Sequence, residues 1–129
     1  MAYGNFLLDK GYNAAAAVTK FRAVKFSAAE TVTPVTAIGD QIAGFAQYSV
    51  SAAEILKGKG VPVRNDGITE AEATGPIAVG VQVQMESDGR VSAAVGASGK
   101  RIVGRCVGHA STNAGDRIAL DMTIQGALA

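Results

Sequence analysis

His109 is the chain's only histidine and Cys106 its only cysteine, and they stand three positions apart. A Cys-x-x-His spacing is half of a tetrahedral zinc site, where thiolate and imidazole share the ion with a second pair of ligands. That second half is absent, and residues three apart on a strand face opposite sides. Nucleophilic attack by Cys106 or Ser111, with His109 as base and Asp116 to orient it, needs groups converging from separate elements. Here all of them lie in one stretch, CVGHASTNAGD, with no distant partner to hold the imidazole. These residues therefore read as a small buried thiol next to a loop imidazole.

Other motifs fail on spacing as well. GASGKR approaches a phosphate loop, but Gly96 and Gly99 are too close together and Arg101 stands where a hydroxyl residue belongs. It reads as a hairpin turn leading into a strand. SDGR lacks the twelve-residue ligand series of a calcium loop and reads as a tight turn. Glu70 and Glu72 make a carboxylate pair that reads as a solvated face of a polar loop. No lysine sits in the Met-Lys-Met turn by which carrier barrels hold biotin or lipoyl groups. The expectation is no catalysis, no cofactor and no metal.

The elements that would position these residues are mostly strands. In IAVGVQVQM, Val79, Val81, Val83 and Met85 fall on one face; in RIALDMTI, Ile118, Leu120, Met122 and Ile124 do. Such alternation predicts half-buried strands. Asp88-Gly89 between VQVQM and RVSAAV predicts a hairpin, because both residues accept positive φ. Further strands are expected over 17–26, 31–37, 41–48 and 101–108, with Pro34 marking an edge or a break. One short helix is expected in SAAEILKG, with Ser51 as N-cap, Glu54 completing a capping box and Gly58 as terminator. The stretch 64–76 reads as an exposed loop between two β-rich halves.

Those halves echo one another. GDQIAGFA and GKRIVGRC align without gaps, matching Gly39 with Gly99, Ile42 with Ile102 and Gly44 with Gly104. KGKGVPV and NAGDRIAL resemble each other in the same order, with the helix inserted in the first copy. Two similar β units closing a small barrel or sandwich is the simplest architecture; chance likeness in a sequence rich in Gly and Ala is the alternative.

At 129 residues the chain suits one domain. Its charge of +1 shows no basic stripe, so nucleic acid is an unexpected partner. No apolar run nears the ~18 residues of a membrane span, and the start lacks the marks of an export signal. One cysteine fits synthesis in a reducing cytoplasm. The 24 alanines and 16 glycines leave a thin core, and a thin core favours association. All seven aromatics precede residue 50, and several crowd the opening MAYGNFLLDKGYNAAAAVTKF. Residues 1–17 are expected as an extended arm and 18–129 as the β-rich domain. Each large apolar side chain the arm buries contributes roughly 1.5–3 kcal/mol, enough to order it only on a matched surface. Phe6, Leu7 and Leu8 closing the domain's own barrel as a first strand is the other reading.

With the arm MAYGNFLLDKGYNAAAAVTKFRAVKF, the units GDQIAGFAQ and GKRIVGRCVGHASTNAGDRIAL, and the hairpin GVQVQMESDGRVSAA, the chain resembles the capsid cement, or head decoration, proteins of tailed bacteriophages. The resemblance covers most of the chain and rests on pattern and length. It implies an all-β fold, a small β-barrel or β-tulip-like domain with one short helix and an N-terminal arm. It also implies a homotrimer on the outer surface of the mature capsid, clamping neighbouring major capsid proteins without chemistry after synthesis in the host bacterial cytoplasm. Tyr3, Phe6, Leu7, Leu8 and Tyr12, with Ile55 and Leu56 of the helix, are the expected contacts to the capsid or to a neighbouring subunit. A phage tail, spike or fibre module is the main alternative, ahead of a small-molecule- or carbohydrate-binding barrel and a hydrolase.

Overall fold

A computed structural model describes residues 8–96 and 98–122. The elements in chain order are β1 (Leu8–Ala14), β2 (Ala23–Ala28), β3 (Thr31–Pro34), β4 (Gly44–Ala46), α1 (Ala52–Leu56), β5 (Val61–Asp66), β6 (Ile68–Glu72), β7 (Gln82–Met85), β8 (Val91–Ala93), β9 (Ile102–Gly108) and β10 (Arg117–Asp121). Strands β1 to β5 close a barrel in the order β1-β3-β2-β4-β5, and β6 to β10 form a sheet in the order β6-β10-β9-β7-β8. The fold class is the all-β barrel that the alternation predicts.

The two sheets are one design made twice. Antiparallel β1 and β5 set Tyr12 opposite Val61 and Lys10 opposite Val63, while β6 and β10 set Ala71 opposite Ile118 and Thr69 opposite Leu120. Val24 on β2 faces Pro34 on β3 and Gly44 on β4; Val83 on β7 faces Ala93 on β8 and Gly104 on β9. The parallel contact of Ala14 with Val32 returns as a bridge between Ala73 and Val91, and the bridge Val18–Val50 returns as Ile77–Ser111. The sequence echo is thus a structural repeat in which β1 to β5 correspond to β6 to β10.

Its glycines have a steric reason. A Cβ on Gly44 would lie 2.1 Å from the Arg64 carbonyl oxygen, and one on Gly104 would lie 2.1 Å from that of Asp121. In each unit the last strand crosses directly over the glycine, and only hydrogen fits there.

Each unit fills its interior with small aliphatic side chains. Val24, Val32, Val61 and Val63 centre the first core, and Val83, Val91, Ile118 and Leu120 are their counterparts in the second. The second core extends past its own sheet to take in Ala23, Val35 and Phe45 of the first unit, so the barrel and the second sheet are packed together.

Several expectations are corrected. The stretch 64–76 is no exposed loop: it ends β5, turns at Gly67 and forms β6, with Thr69, Ala71 and Ala73 buried. Its inward positions carry Thr and Ala, whose small size hides the alternation. Of the expected arm, Leu8–Ala14 is β1, a barrel wall between β3 and β5; residues 1–7 lie outside those described. β2 starts at Ala23, β3 stops at Pro34 and β4 is confined to Gly44–Ala46, all shorter or later than the alternation implies. GASGKR is not a hairpin, since β7 lies between β8 and β9. Val79 precedes its strand and is exposed. The Asp88-Gly89 turn does join β7 to β8, and Ser51 and Glu54 form the capping box of α1.

Candidate assembly surfaces

The contact between the barrel and the second sheet shows what these units use to bind one another. Gly44 and Ala46 flank Phe45 on β4, and the short strand turns the Phe45 ring out of its own barrel. The ring is fully buried in the second core beside Met85 and Met122, with Ala23 and Val35 around it. Polar contacts rim this apolar centre, the usual anatomy of a protein–protein interface. The Arg22 guanidinium grips both carboxylate oxygens of Glu72 at 3.1 and 3.2 Å. The Arg101 side chain donates to the carbonyls of Gly39 at 2.7 Å and Asp40 at 3.2 Å. Gln47 donates its amide to Thr69 Oγ1 at 2.9 Å, and the Arg117 guanidinium lies 4.6 Å above the Phe21 ring. At one edge the Ala23 N–H donates to the Gly89 carbonyl at 2.9 Å, an approach so close that a Cβ on Gly89 would lie 2.8 Å from the Ala23 oxygen. Each unit contributes a different face, so the contact runs head to tail.

The expected contact residues divide. Tyr3, Phe6 and Leu7 lie outside the described residues. Leu8 opens β1 opposite Asp66. Tyr12 is half-buried against the first core, its ring edge-on to Phe26 at 5.3 Å and 75°, with Lys10 Nζ 5.2 Å from the ring centre. Ile55 also packs on that core, anchoring α1 so that Leu56 projects outward with 90% of its surface exposed. The helix is held by charge as well as packing. Hydrogen bonds from Lys59 at 2.6 Å and from Ser51 lower the Glu54 carboxyl to about 2.

Sequence reasoning did not single out the exposed apolar side chains of Phe26, at 53%, Tyr48, Ile68, Val95 and Val107. An aromatic between Lys25 and Ser27 near the end of a strand is the signal that would have found Phe26.

Among the described residues, the polar groups singled out from the sequence lie apart. Cys106 is buried with its thiol against the Gly108 carbonyl at 3.5 Å, whereas His109 is exposed on a left-handed turn with φ of 50°. Among the described residues, no group of three or more His, Cys, Asp or Glu side chains is placed to hold a metal. Glu72 faces the junction under Arg22 and Arg90, while exposed Glu70 pairs with Arg117 at 3.9 Å, so only one of the two carboxylates is on a solvated face. An open depression of about 350 Å³ includes Asp9, Arg64, Tyr48 and Glu70 in its lining. Its Arg64 is already committed, donating to Asp9 at 2.7 Å and to the Ile68 carbonyl at 3.0 Å.

No protein-family model matches the chain, and no curated protein sequence does. The fold is similar to the crystal structure of the head fibre gp8.5 N base of bacteriophage phi29, with a TM-score of 0.66. The match covers 95% of this chain and 98% of that one at 16% sequence identity, a likeness of fold.

Proposed function

We propose that this chain is a structural protein of a bacteriophage head, held on the outer surface of the shell as a trimer that grips neighbouring major capsid proteins and catalyses nothing. The reading is carried by the likeness in fold, along nearly the whole of both chains, to the base of a phage head fibre. The sequence resemblance to cement proteins points the same way, as does a surface whose projecting groups are apolar and not catalytic. Tyr3, Phe6, Leu7 and Leu8 near the start and Leu56 on α1 are the proposed gripping residues. Three copies engaging at once raise avidity by ~10²–10⁴ over a single contact, so each grip can be weak. The protein is made in the host bacterial cytoplasm and joins heads there.

The same likeness supports a second reading, in which the chain is itself the base of a head fibre. The two differ in the consequence of attachment: a cement protein tightens the shell, and a fibre base carries something outward. Expanded heads lacking the protein, mixed with the purified chain, separate them. Saturable co-sedimentation with heads that then survive higher temperature is the expected result. Leu56→Asp and removal of residues 2–7 should each weaken binding by about tenfold or more, the effect of losing ~1.4 kcal/mol. Binding without added heat resistance favours the fibre base, and no binding at all overturns both.

A further inference from the structure

We infer that copies of this protein join head to tail through the two faces that the internal junction leaves unused. This pairing derives from the repeat and is independent of capsid binding. Within the chain, the first unit presents Ala23, Val35 and Phe45, and the second receives them around Met85 and Met122. By the strand register, the second unit's counterparts of the presenting residues are Gln82, Ala94 and Arg105. The first unit's counterpart of the receiving Met85 is Phe26. A head-to-tail contact between two like units always leaves one face of each kind open, and such contacts propagate into rings or filaments.

The open faces are chemically fit for each other. Phe26 stands 53% exposed on the receiving side, and the presenting side shows Arg105 flanked by Val107, itself 43% exposed. Where Phe45 and Met85 share a core inside the chain, a neighbouring copy would set the Arg105 guanidinium on the Phe26 ring, a cation–π contact. Where Gln47 meets Thr69 at 2.9 Å, Val107 would meet Lys10, whose methylene stem is apolar. One edge differs: Glu30 stands where Gly89 admits Ala23, and its Cβ keeps the neighbour further away. The junction between copies is therefore wider there and weaker than the one within the chain. Closed by three copies, such a ring carries six of these β units.

The purified chain, without heads, tests this by mass measurement in solution across a concentration series. Wild type should assemble in the micromolar range. Phe26→Arg and Arg105→Ser should each be monomeric and keep the melting temperature of dilute wild type, because both side chains lie at the surface. Mixed together, those two variants should form a dimer and nothing larger, since one supplies the intact Arg105 face and the other the intact Phe26 face. A Lys10→Cys, Val107→Cys variant should cross-link between copies with a short bis-maleimide. A wild-type monomer at 100-fold higher concentration overturns the inference, whether the faces are bare or covered by residues 1–7. Assembly untouched by either substitution overturns it as well, as does a mixture that stays monomeric.

Discussion

The two units, a closed barrel and a five-stranded sheet, have similar interiors and differ on their outsides. Positions that point inward hold similar side chains in both: Val24 and Val83, Val32 and Val91, Val61 and Ile118, Val63 and Leu120. Outward positions have diverged freely. Phe45 of the first unit corresponds to Arg105 of the second, Ala23 to Gln82, and Met85 of the second to Phe26 of the first. The inside is held constant by packing, which tolerates little change in volume. The outside is set by the unit's place in the tandem: the face that meets its sibling is apolar and the face that does not is mixed. A single strand plan thus yields two different surfaces from one chain.

The largest test of this contrast substitutes the same position in each unit. Phe45→Ala removes a fully buried ring from the junction and should cost about 3–5 kcal/mol. Arg105→Ala, at the equivalent site on an exposed face, should change stability by no more than about 0.5 kcal/mol in the monomer. Urea midpoints at low protein concentration measure both. Equal losses would mean that the outward faces are not distinguished by the junction, and the contrast between them would fail.

A second pair of substitutions sharpens the other half of the contrast, where the units should behave alike. Gly44→Ala and Gly104→Ala each push a methyl group to 2.1 Å from a backbone oxygen of the crossing strand. Neither oxygen can swing away as a side-chain tip would, so the strand itself must shift. Both variants should lose about 3 kcal/mol, toward the upper end of overpacking effects. A large loss at one glycine and none at the other would show that only one unit depends on the close crossing.

The legibility of the fold from its residues divides along the same line. Inward Val, Ile, Leu and Met on β7 and β10 alternate strongly enough to give the strands and the hairpin at Asp88-Gly89. The repeat surfaced through glycines, because steric demand at Gly44 and Gly104 leaves no other residue in place. β6 escaped notice because Thr69 and Ala71 face inward without bulk, and β1 figured only as the other reading, a first strand closing the barrel, because Asp9, Lys10 and Gly11 interrupt its pattern. Phe45 read as one more strand residue, since nothing local tells whether its outward face meets water or a second unit. Of the expected contacts, Leu56 is exposed as a gripping residue should be. Tyr12 and Ile55 prove half-buried because the barrel has too few large side chains of its own. The candidate surface was thus only partly readable: it depends on which copy of the repeat a residue belongs to.

The smallest test concerns a segment where the units differ in backbone. Between β4 and β5 the first unit inserts α1, and between β9 and β10 the second has a loop gathered by Asp116. A carboxylate organises each. Glu54 lies at about 2, held by the Lys59 ammonium and then by Ser51, while the Asn113 and Thr112 N–H groups lower Asp116. A carboxyl that ionises more readily when folded stabilises the protein above its unfolded value and loses that contribution as pH falls through the folded one. For Glu54 the window runs from 4.5 down to about 2, and for Asp116 it lies below 3.8. Glu54→Gln and Asp116→Asn should therefore each lower the melting temperature slightly at pH 7, and the difference from wild type should vanish as the window is crossed. Salt separates the two devices. Glu54 pairs first with an exposed ammonium, so 1 M NaCl, with a Debye length of about 3 Å, should shrink its effect. Asp116 bonds to backbone N–H groups at 3.0 Å and should keep most of its own. If salt weakened both equally, the second loop would be held by long-range charge and not by its hydrogen bonds, and the two segments would be variants of one device.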